Sequence, residues 1–281
     1  MNEDNREKTR HAAKYLIIIF LIWLTLGFSA VDYTNWLLRF TITNNAAESK
    51  IPRTTVEESA KVAIRALYYN CEGTVGDYLQ KNDSILRHFL RQPLKIIQTD
   101  MRFLSDGLVI CEYETPLVGE LLRLLIPPRQ SVNYLVPMLC PCCRQPWPEN
   151  LAISEGIKLI PSVPESMPKY TGILIDARNI SIGLALFPRI ITEDGYEVFS
   201  VNFADPDYIA SSGLVKYLSE SSEVLLNELC GDNPLRITAL ASRGTNNVDI
   251  VISHKAGQML HSSLANLELL EKCRVVVLYR D

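Results

Sequence analysis

The sequence predicts an α+β protein, in which two small mixed α/β lobes follow an amino-terminal signal peptide or membrane anchor. Three observations predict it: a charged leader before an apolar run, helix and strand patterns that alternate afterwards, and a proline- and cysteine-rich stretch between them. The predicted organisation is a targeting segment at 1–30, a first lobe at 31–128, a linker at 129–169 and a second lobe at 170–281.

The composition is that of an ordinary globular protein. The chain has 281 residues, of which 47% are hydrophobic and 21% are charged, and its formal net charge is −4. Such a chain can bury substantial cores, and it carries no long basic stripe for phosphate groups. We therefore expect no nucleic-acid partner, and the composition leaves the oligomeric state open.

The amino terminus carries the pattern of an exported protein. Arg6, Lys8, Arg10 and Lys14 precede the uncharged run from Tyr15 to Val31. A membrane span needs roughly 20 apolar residues, so this shorter run fits a cleaved signal peptide or a retained anchor, and both readings stay open. In either case the positive flank stays inside. The expected location is the periplasm, or the inner membrane facing the periplasm with the uncleaved segment as anchor.

The first lobe shows clear local signals. A strand is predicted from Trp36 to Thr43. A helix is predicted to start at Thr54, where Glu57 completes a capping-box pattern, and to end at Gly73, which places Cys71 on its buried stripe. Ser105-Asp106-Gly107 predicts a hairpin turn, and a short helix from Leu117 to Ile126 is halted by two prolines.

The second lobe alternates strands and helices. Strands are expected within YTGILIDARNISIGLALFPRIITEDGYEVFSV, with a turn at Glu193-Asp194-Gly195, and within RITALASRG, VDIVIS and RVVVLY. Helices are expected at Leu214 to Leu229 and at Lys255 to Lys272. His254 and His261 fall at and within the last helix, and we expect both to be solvated.

Three cysteines cluster in the linker as C-P-C-C, at Cys140, Cys142 and Cys143. A disulfide, within the cluster or to Cys230 or Cys273, is favoured because exported cysteines are oxidised, and seven cysteines leave at least one unpaired. Two alternatives stay open. Cys140 and Cys143 resemble one knuckle of a zinc ribbon, although a structural zinc site wants four ligands, and a dithiol redox centre would use Arg144 to stabilise a thiolate. We expect no cofactor, with zinc as the alternative.

Asp176 and Arg178 are the other candidate site residues. They are two positions apart, so on a strand both side chains project from one face. The pattern favours a structural ion pair or turn clamp, and binding to a partner is the alternative. No catalytic constellation is found, because no nucleophile elbow accompanies the histidines. The sequence therefore predicts a protein that is not an enzyme.

Several stretches resemble one family of exported bacterial envelope proteins. VDYTNWLLRFT is similar to the family's VDWTNG start, and YTGILIDARNISIGLALFPRIITEDGYEVF is similar to its TGLIVDARGL block. This chain departs by having Trp36 and Asn179 where the family has glycines, and by the cysteine-rich insertion. The family is related to small outer-membrane lipoproteins and to the amino-terminal domain of flagellar assembly protein T.

The resemblance implies a noncatalytic scaffold or adaptor in the periplasm, with other envelope proteins as partners and a role in flagellar or envelope assembly. The alternative, from a different class, is a thiol-redox or zinc-binding envelope protein centred on the C-P-C-C cluster.

Overall fold

The structure is a computed structural model that describes residues 26–45, 51–148, 151, 153, 156–162, 168–219 and 223–280. Helices and strands in mixed sheets confirm the predicted α+β class. Most of the predicted targeting segment lies outside the described residues; its last residues, 26–30, belong to a strand.

Sixteen strands are found in the described residues. They are β1 Leu26–Asp32, β2 Leu37–Asn45, β3 Tyr68–Asn70, β4 Gly73–Thr74, β5 Ile97–Phe103, β6 Leu108–Pro116, β7 Met138–Leu139, β8 Ile160–Pro161, β9 Gly172–Asp176, β10 Ile190–Thr192, β11 Glu197–Phe199, β12 Lys216–Leu218, β13 Pro234–Thr238, β14 Ala241–Arg243, β15 Asp249–Ile252 and β16 Val275–Leu278.

Eight helices accompany these strands in the same part of the chain. They are α1 Arg53–Ala66, α2 Val75–Lys81, α3 Asp83–Arg91, α4 Glu120–Leu125, α5 Pro206–Ser212, α6 Glu223–Cys230, α7 His254–His261 and α8 Leu264–Glu271.

The chain divides into two compact units that are interleaved in sequence. Counting the described residues alone, the first contains those up to Asp32, those within Leu37–Arg65 and Arg91–Leu117, and the second contains Tyr33–Trp36, Ala66–Leu90 and those from Val118 onward. The lobes predicted from the sequence are consecutive segments with boundaries near 128 and 169. Whether those segments fold independently stays a prediction.

The first unit is built on an antiparallel sheet with the strand order β1-β2-β6-β5. Residues of β2 and β6 alternate between buried and more exposed positions, as the period of two in a strand requires. Phe40 stacks on Tyr113 across the pair, with ring centroids 5.5 Å apart. The predicted hairpin between β5 and β6 is confirmed, and Gly107 adopts the positive φ of 82° that its turn needs.

The second unit contains a parallel sheet with the strand order β12-β16-β9-β13. Its central strands β9 and β16 are almost entirely buried, which explains their continuous apolar sequences. Helix α6 covers one face. The core formed there contains Leu174, Leu218, Leu226, Cys230, Val276 and Leu278.

A second sheet of the same unit has the strand order β11-β10-β15-β14, with only β10 and β15 parallel. The predicted turn at 193–195 joins β10 to β11, and Gly195 has a φ of 89°. Backbone hydrogen bonds from Leu186 and Phe187 to the carbonyls of Tyr68 and Tyr69 join β3 to the chain just before β10.

The predicted extent of the first helix is wrong. Helix α1 starts at Arg53, so Thr54 lies inside it and is not its capping residue, and it ends at Ala66 rather than at Gly73. The capping box forms later, where Thr74 and Asp77 cap α2. Cys71 therefore lies in the turn between β3 and β4, because the backbone of β3 bonds to residues near β10 instead of continuing the helix.

Two other helix predictions need correction. Residues 214–218 lead into strand β12, since Tyr217 and Leu218 pair with β16 in the buried parallel sheet, and the helix among the described residues of this stretch is Glu223–Cys230. The predicted helix from Lys255 to Lys272 is two helices. Its break follows from Ser262 and Ser263: the hydroxyl of Ser263 accepts a hydrogen bond from the Asn266 N–H and thereby starts α8.

Candidate functional site

Asp176 and Arg178 bind each other at the end of β9. The strand ends at Asp176, so Arg178 lies in the following turn rather than on the same strand face. Its Nε donates to Asp176 Oδ1 at 2.9 Å and its Nη2 to Oδ2 at 2.5 Å, while its backbone N–H also donates to Oδ1. The guanidinium holds the pKa of the Asp176 carboxyl below its usual range. The pair has the geometry of a turn clamp.

The C-P-C-C stretch forms a tight turn. The Cys140 N–H donates to the Gln145 carbonyl and the Arg144 N–H donates to the Cys140 carbonyl, each at 2.9 Å. Arg144 adopts a left-handed φ of 60°. Hydrogen bonds from the backbone N–H groups of Cys143 and Cys142 lower the pKa of the Cys140 thiol. The turn therefore presents partly exposed thiols of which one favours the thiolate.

Cys230 and Cys273 lie in a different environment. Both are buried, and burial raises the pKa of the Cys230 thiol to about 11 and that of Cys273 to about 12. All seven cysteines are free thiols in the structure. Within the described ranges, no group of three or more His, Cys, Asp or Glu side chains is arranged to hold a metal ion. The disulfide and zinc hypotheses stay predictions.

The second unit contains a cleft of about 290 Å³ that the sequence analysis did not identify. Its lining comes from four separate segments, within 69–81, 127–130, 187–189 and 197–202. Several of these positions lie on the turn between β3 and β4, on α2, and on the loop after β11. Both basic and acidic side chains face it.

Arg189, which lines the cleft, forms an ion pair with Asp249, which lies behind the lining. Arg189 stands just before β10 and Asp249 begins β15, and the parallel pairing of these strands brings the two side chains together. The Arg189 backbone N–H, Nε and Nη2 all donate to the Asp249 carboxylate, with Nη2 to Oδ2 at 2.5 Å. Only 2% of the Asp249 side chain is exposed, whereas Arg189 remains half-exposed. The pair further raises the pKa of Arg189.

Cys71 completes this group. The Arg189 Nη2 also donates to its Sγ at 3.1 Å. Burial, and secondly the charge of Asp249, raise the pKa of the Cys71 thiol, and this outweighs the opposite effect of Arg189. The thiol is therefore protonated at neutral pH, and Cys71 acts here as a soft acceptor rather than as a nucleophile.

Polar groups surround the ion pair. Glu197 Oε1 accepts hydrogen bonds from Ser200 Oγ at 2.6 Å and from Asn202 Nδ2 at 2.9 Å, and Asn202 Oδ1 accepts from the backbone N–H of Gln130. On another side, the ring of Tyr78 stacks on Tyr69 with centroids 4.1 Å apart. These contacts fix the cleft wall before any ligand arrives, which lowers the ordering entropy that binding requires.

The prediction of a solvated His261 is wrong. This side chain is fully buried, with Phe203 stacked on it at 5.1 Å and Tyr134 against it edge-on. Its Nδ1 accepts from the Leu135 backbone N–H at 3.1 Å, so its Nε2 carries the proton and donates to the Val198 carbonyl at 2.9 Å. His254 fits the prediction better, because its side chain is partly exposed and contacts Asp194.

The fold is that of an α+β protein whose second unit carries a cleft lined largely by polar residues. Residues 172–281 match the family model described as Treponema pallidum Tp0624, second domain. The match covers all strands from β9 to β16 and therefore confirms that this part of the chain is similar to an uncharacterised bacterial family. No curated protein matches the chain.

Sequence reasoning missed Arg189, Asp249 and Cys71 as a group. One signal was present: a charged residue stands at or just before each of the apolar strands β10 and β15, where an unpaired charge would be costly to bury. None of the helices in the described ranges is both long and apolar enough to cross a membrane.

Proposed function

We propose that this protein is a noncatalytic periplasmic adaptor, and that the cleft of its second unit binds a carboxylate-bearing segment of another envelope protein. The observation that carries the proposal is the state of Arg189. Buried Asp249 fixes one edge of its guanidinium through Nε and Nη2, while the side chain stays half-exposed in the cleft. A guanidinium held in this way is oriented in advance for a second carboxylate.

The surroundings support an acidic partner. Lys81 adds a second cation to the lining. Two of the acidic residues that line the cleft already form hydrogen bonds within the chain. Asp77 caps α2 together with Thr74. Glu197 accepts hydrogen bonds from Ser200 and Asn202. A cleft of about 290 Å³ accommodates one or two side chains of a polypeptide, at the lower limit of small-molecule sites. Arginine and tyrosine are also the residues that most often dominate protein interfaces.

The proposed location rests on the basic leader and the apolar run after it. The same proposal includes a relationship to small outer-membrane lipoproteins and to flagellar assembly protein T. Such a relationship would place the adaptor in flagellar or envelope assembly. A reporter enzyme that is active only outside the cytoplasm, fused after Asp281, should be active. An inactive fusion with full expression would contradict export.

The binding site is tested with a fluorescent tetraglutamate peptide that has a free carboxyl end. We expect this peptide to bind the full chain. A double variant, Arg189→Lys with Lys81→Ala, should weaken binding by about tenfold or more, because the oriented guanidinium group of Arg189 and the positive charge of Lys81 are lost. Lysine at 189 keeps a positive charge beside Asp249. Fluorescence anisotropy measures the dissociation constant.

The matched control for the peptide experiment is Lys255→Ala, which removes an exposed cation of the same unit outside the cleft. It should leave affinity unchanged, and all variants should keep the unfolding temperature of the parent. If the parent chain does not bind the peptide, or if the double variant binds it as tightly as the parent, the cleft is not the binding site.

A second candidate function is thiol or zinc chemistry at the C-P-C-C turn, favoured by the backbone hydrogen bonds to the Cys140 sulfur. We expect iodoacetamide to alkylate Cys140 at a lower pH than an ordinary thiol, measured site by site with mass spectrometry. Purification from an oxidising compartment should also yield bound zinc or a reversible disulfide. Seven free thiols, no zinc and an ordinary alkylation profile would together eliminate this candidate.

A further inference from the structure

Strand β5 forms an open edge of the sheet in the first unit. It pairs only with β6 among the described strands, and every one of its residues is exposed. Met101 and Phe103 are 49% and 70% exposed, although they stand opposite the buried Cys111 and Val109 on the core face of the sheet. An apolar edge of this kind invites pairing with another strand.

The backbone of β5 is arranged for such pairing. The Leu104 N–H donates to the Leu108 carbonyl at 2.8 Å, so alternate residues such as Arg102 direct their backbone groups towards β6. Met101 and Phe103 then direct theirs away from β6, where the Met101 N–H donates to the Asp100 side-chain Oδ1 at 2.8 Å. A neighbouring antiparallel strand would pair with the Phe103 groups and would replace the Asp100 carboxylate at the Met101 N–H.

We propose that β5 pairs antiparallel with β5 of a second copy of this chain, about a two-fold axis at Met101. The axis places Met101 opposite its counterpart and Phe103 opposite Thr99 of the other copy. Asp100 of each copy then stands opposite Arg102 of the other, on the opposite face of the joined sheet. Two four-stranded sheets become one continuous sheet through an isologous interface.

Charge selects this register. Pairing about Asp100 would set two carboxylates opposite each other, and pairing about Arg102 would set two guanidinium groups opposite each other. Of these three axes, only the axis at Met101 places an acidic side chain opposite a basic one in both symmetry-related pairs. Within its own chain Arg102 already contacts Asp100, at 3.2 Å, and Glu112, so Asp100 of the other copy would be a third carboxylate at a side chain that is already oriented.

The same features oppose unspecific pairing. The register of β5 against β6 shifts between Gln98 and Asp100, which is a bulge of the kind that protects edge strands. Charged side chains at 100 and 102 disfavour strands that lack the complementary pattern. The exposed edge of β5 therefore favours pairing with a copy of itself over pairing with most other strands.

A charge-swap experiment tests the proposal on the full chain, kept in mild detergent because of its apolar run and followed by sedimentation velocity over a range of concentrations. We expect the parent chain to dimerise. Asp100→Arg and Arg102→Asp should each weaken the dimer by roughly tenfold or more, since both symmetry-related pairs become repulsive. An equimolar mixture of the two variants should form heterodimers, because four charges then pair with opposite sign.

The double variant Asp100→Arg with Arg102→Asp restores unlike pairs within one sequence and should dimerise again. If a single variant folds poorly, the dimerisation of this double variant still tests the proposal. A parent chain that stays monomeric at every concentration would overturn the proposal. So would single variants that dimerise as tightly as the parent, or a mixture that forms no heterodimer from two folded variants.

Discussion

Replacing Gly213 by alanine should destabilise the second unit by about 3 kcal/mol or more, measured by urea unfolding. Gly213 follows α5 with a φ of 82° and a ψ of 163°, a backbone region that only glycine adopts readily. A β-carbon there would lie 1.8 Å from Cε2 of Trp36. The indole cannot move aside, because it is fully buried, its Nε1 donates to the Val215 carbonyl and Tyr33 packs against it edge-on.

Gly119 provides the matched control. It lies in the same unit with a φ of 90° and a ψ of −143°, but a β-carbon at this position meets no atom within 4 Å. Gly119→Ala should therefore show only the backbone strain, about 1–2 kcal/mol, and the difference between the two variants measures the clash with Trp36. Equal destabilisation by both would contradict the packing argument.

The clash also predicts a strong coupling between two distant positions. Trp36→Gly alone should cost several kcal/mol through the lost indole, while adding Gly213→Ala to it should cost little beyond backbone strain. Trp36 itself adopts a φ of 55°, in the left-handed region that glycine prefers.

Lowering the pH from 6.5 to 4 should destabilise the second unit by roughly 3 kcal/mol through His261 alone. Burial lowers the pKa of His261 to about 4 in the folded protein. The unfolded chain, with its ordinary pKa near 6.5, then binds more protons across this window, so stability falls as pH falls. Well above pH 6.5 the histidine is neutral in both states and contributes no pH dependence.

The contacts explain why His261 resists protonation. A proton on Nδ1 would face the Leu135 N–H that now donates to this atom, and Phe203 and Tyr134 exclude water from the ring. The pKa of Tyr134 is raised, so it stays neutral throughout the window. Asp77 and Asp176 have lowered pKa values and lose their charge only at still lower pH.

Urea unfolding at several pH values between 4 and 7.5 measures this effect. In the control variant His261→Gln, the amide can still donate to the Val198 carbonyl but does not titrate. Its stability should be nearly constant over the window in which the parent loses stability. Parallel curves for the two proteins would show that another group causes the pH dependence.

Local sequence patterns determined much of the fold. The hairpin of β5 and β6 follows from two β-rich runs around a Ser-Asp-Gly turn, and β9, β15 and β16 follow from short apolar runs between turn residues. The α+β class followed from the same patterns. These elements are predictable because their hydrogen bonds and burial depend on residues near each other in the chain.

Tertiary pairing decided the elements that local patterns missed. The helical periodicity from Ala60 continues to Cys71, yet the chain leaves the helix at Ala66 because β3 gains partners near β10. The spacing of Leu218 fits a helix, but this residue lies in β12, where β16 provides the backbone hydrogen-bond partners. In both cases a distant strand offers backbone hydrogen bonds together with burial, and this outweighs a weak local propensity.

The sequence by itself determined the export pattern, the α+β class, the cysteine cluster and the Asp176–Arg178 pair, since each depends on residues close together in the chain. Only the tertiary structure decided the cleft. Cys71, Arg189 and Asp249 lie far apart in sequence and meet because β3 bonds beside β10 and β10 pairs with β15. A single sequence carries no spacing rule for side chains that separate strands bring together.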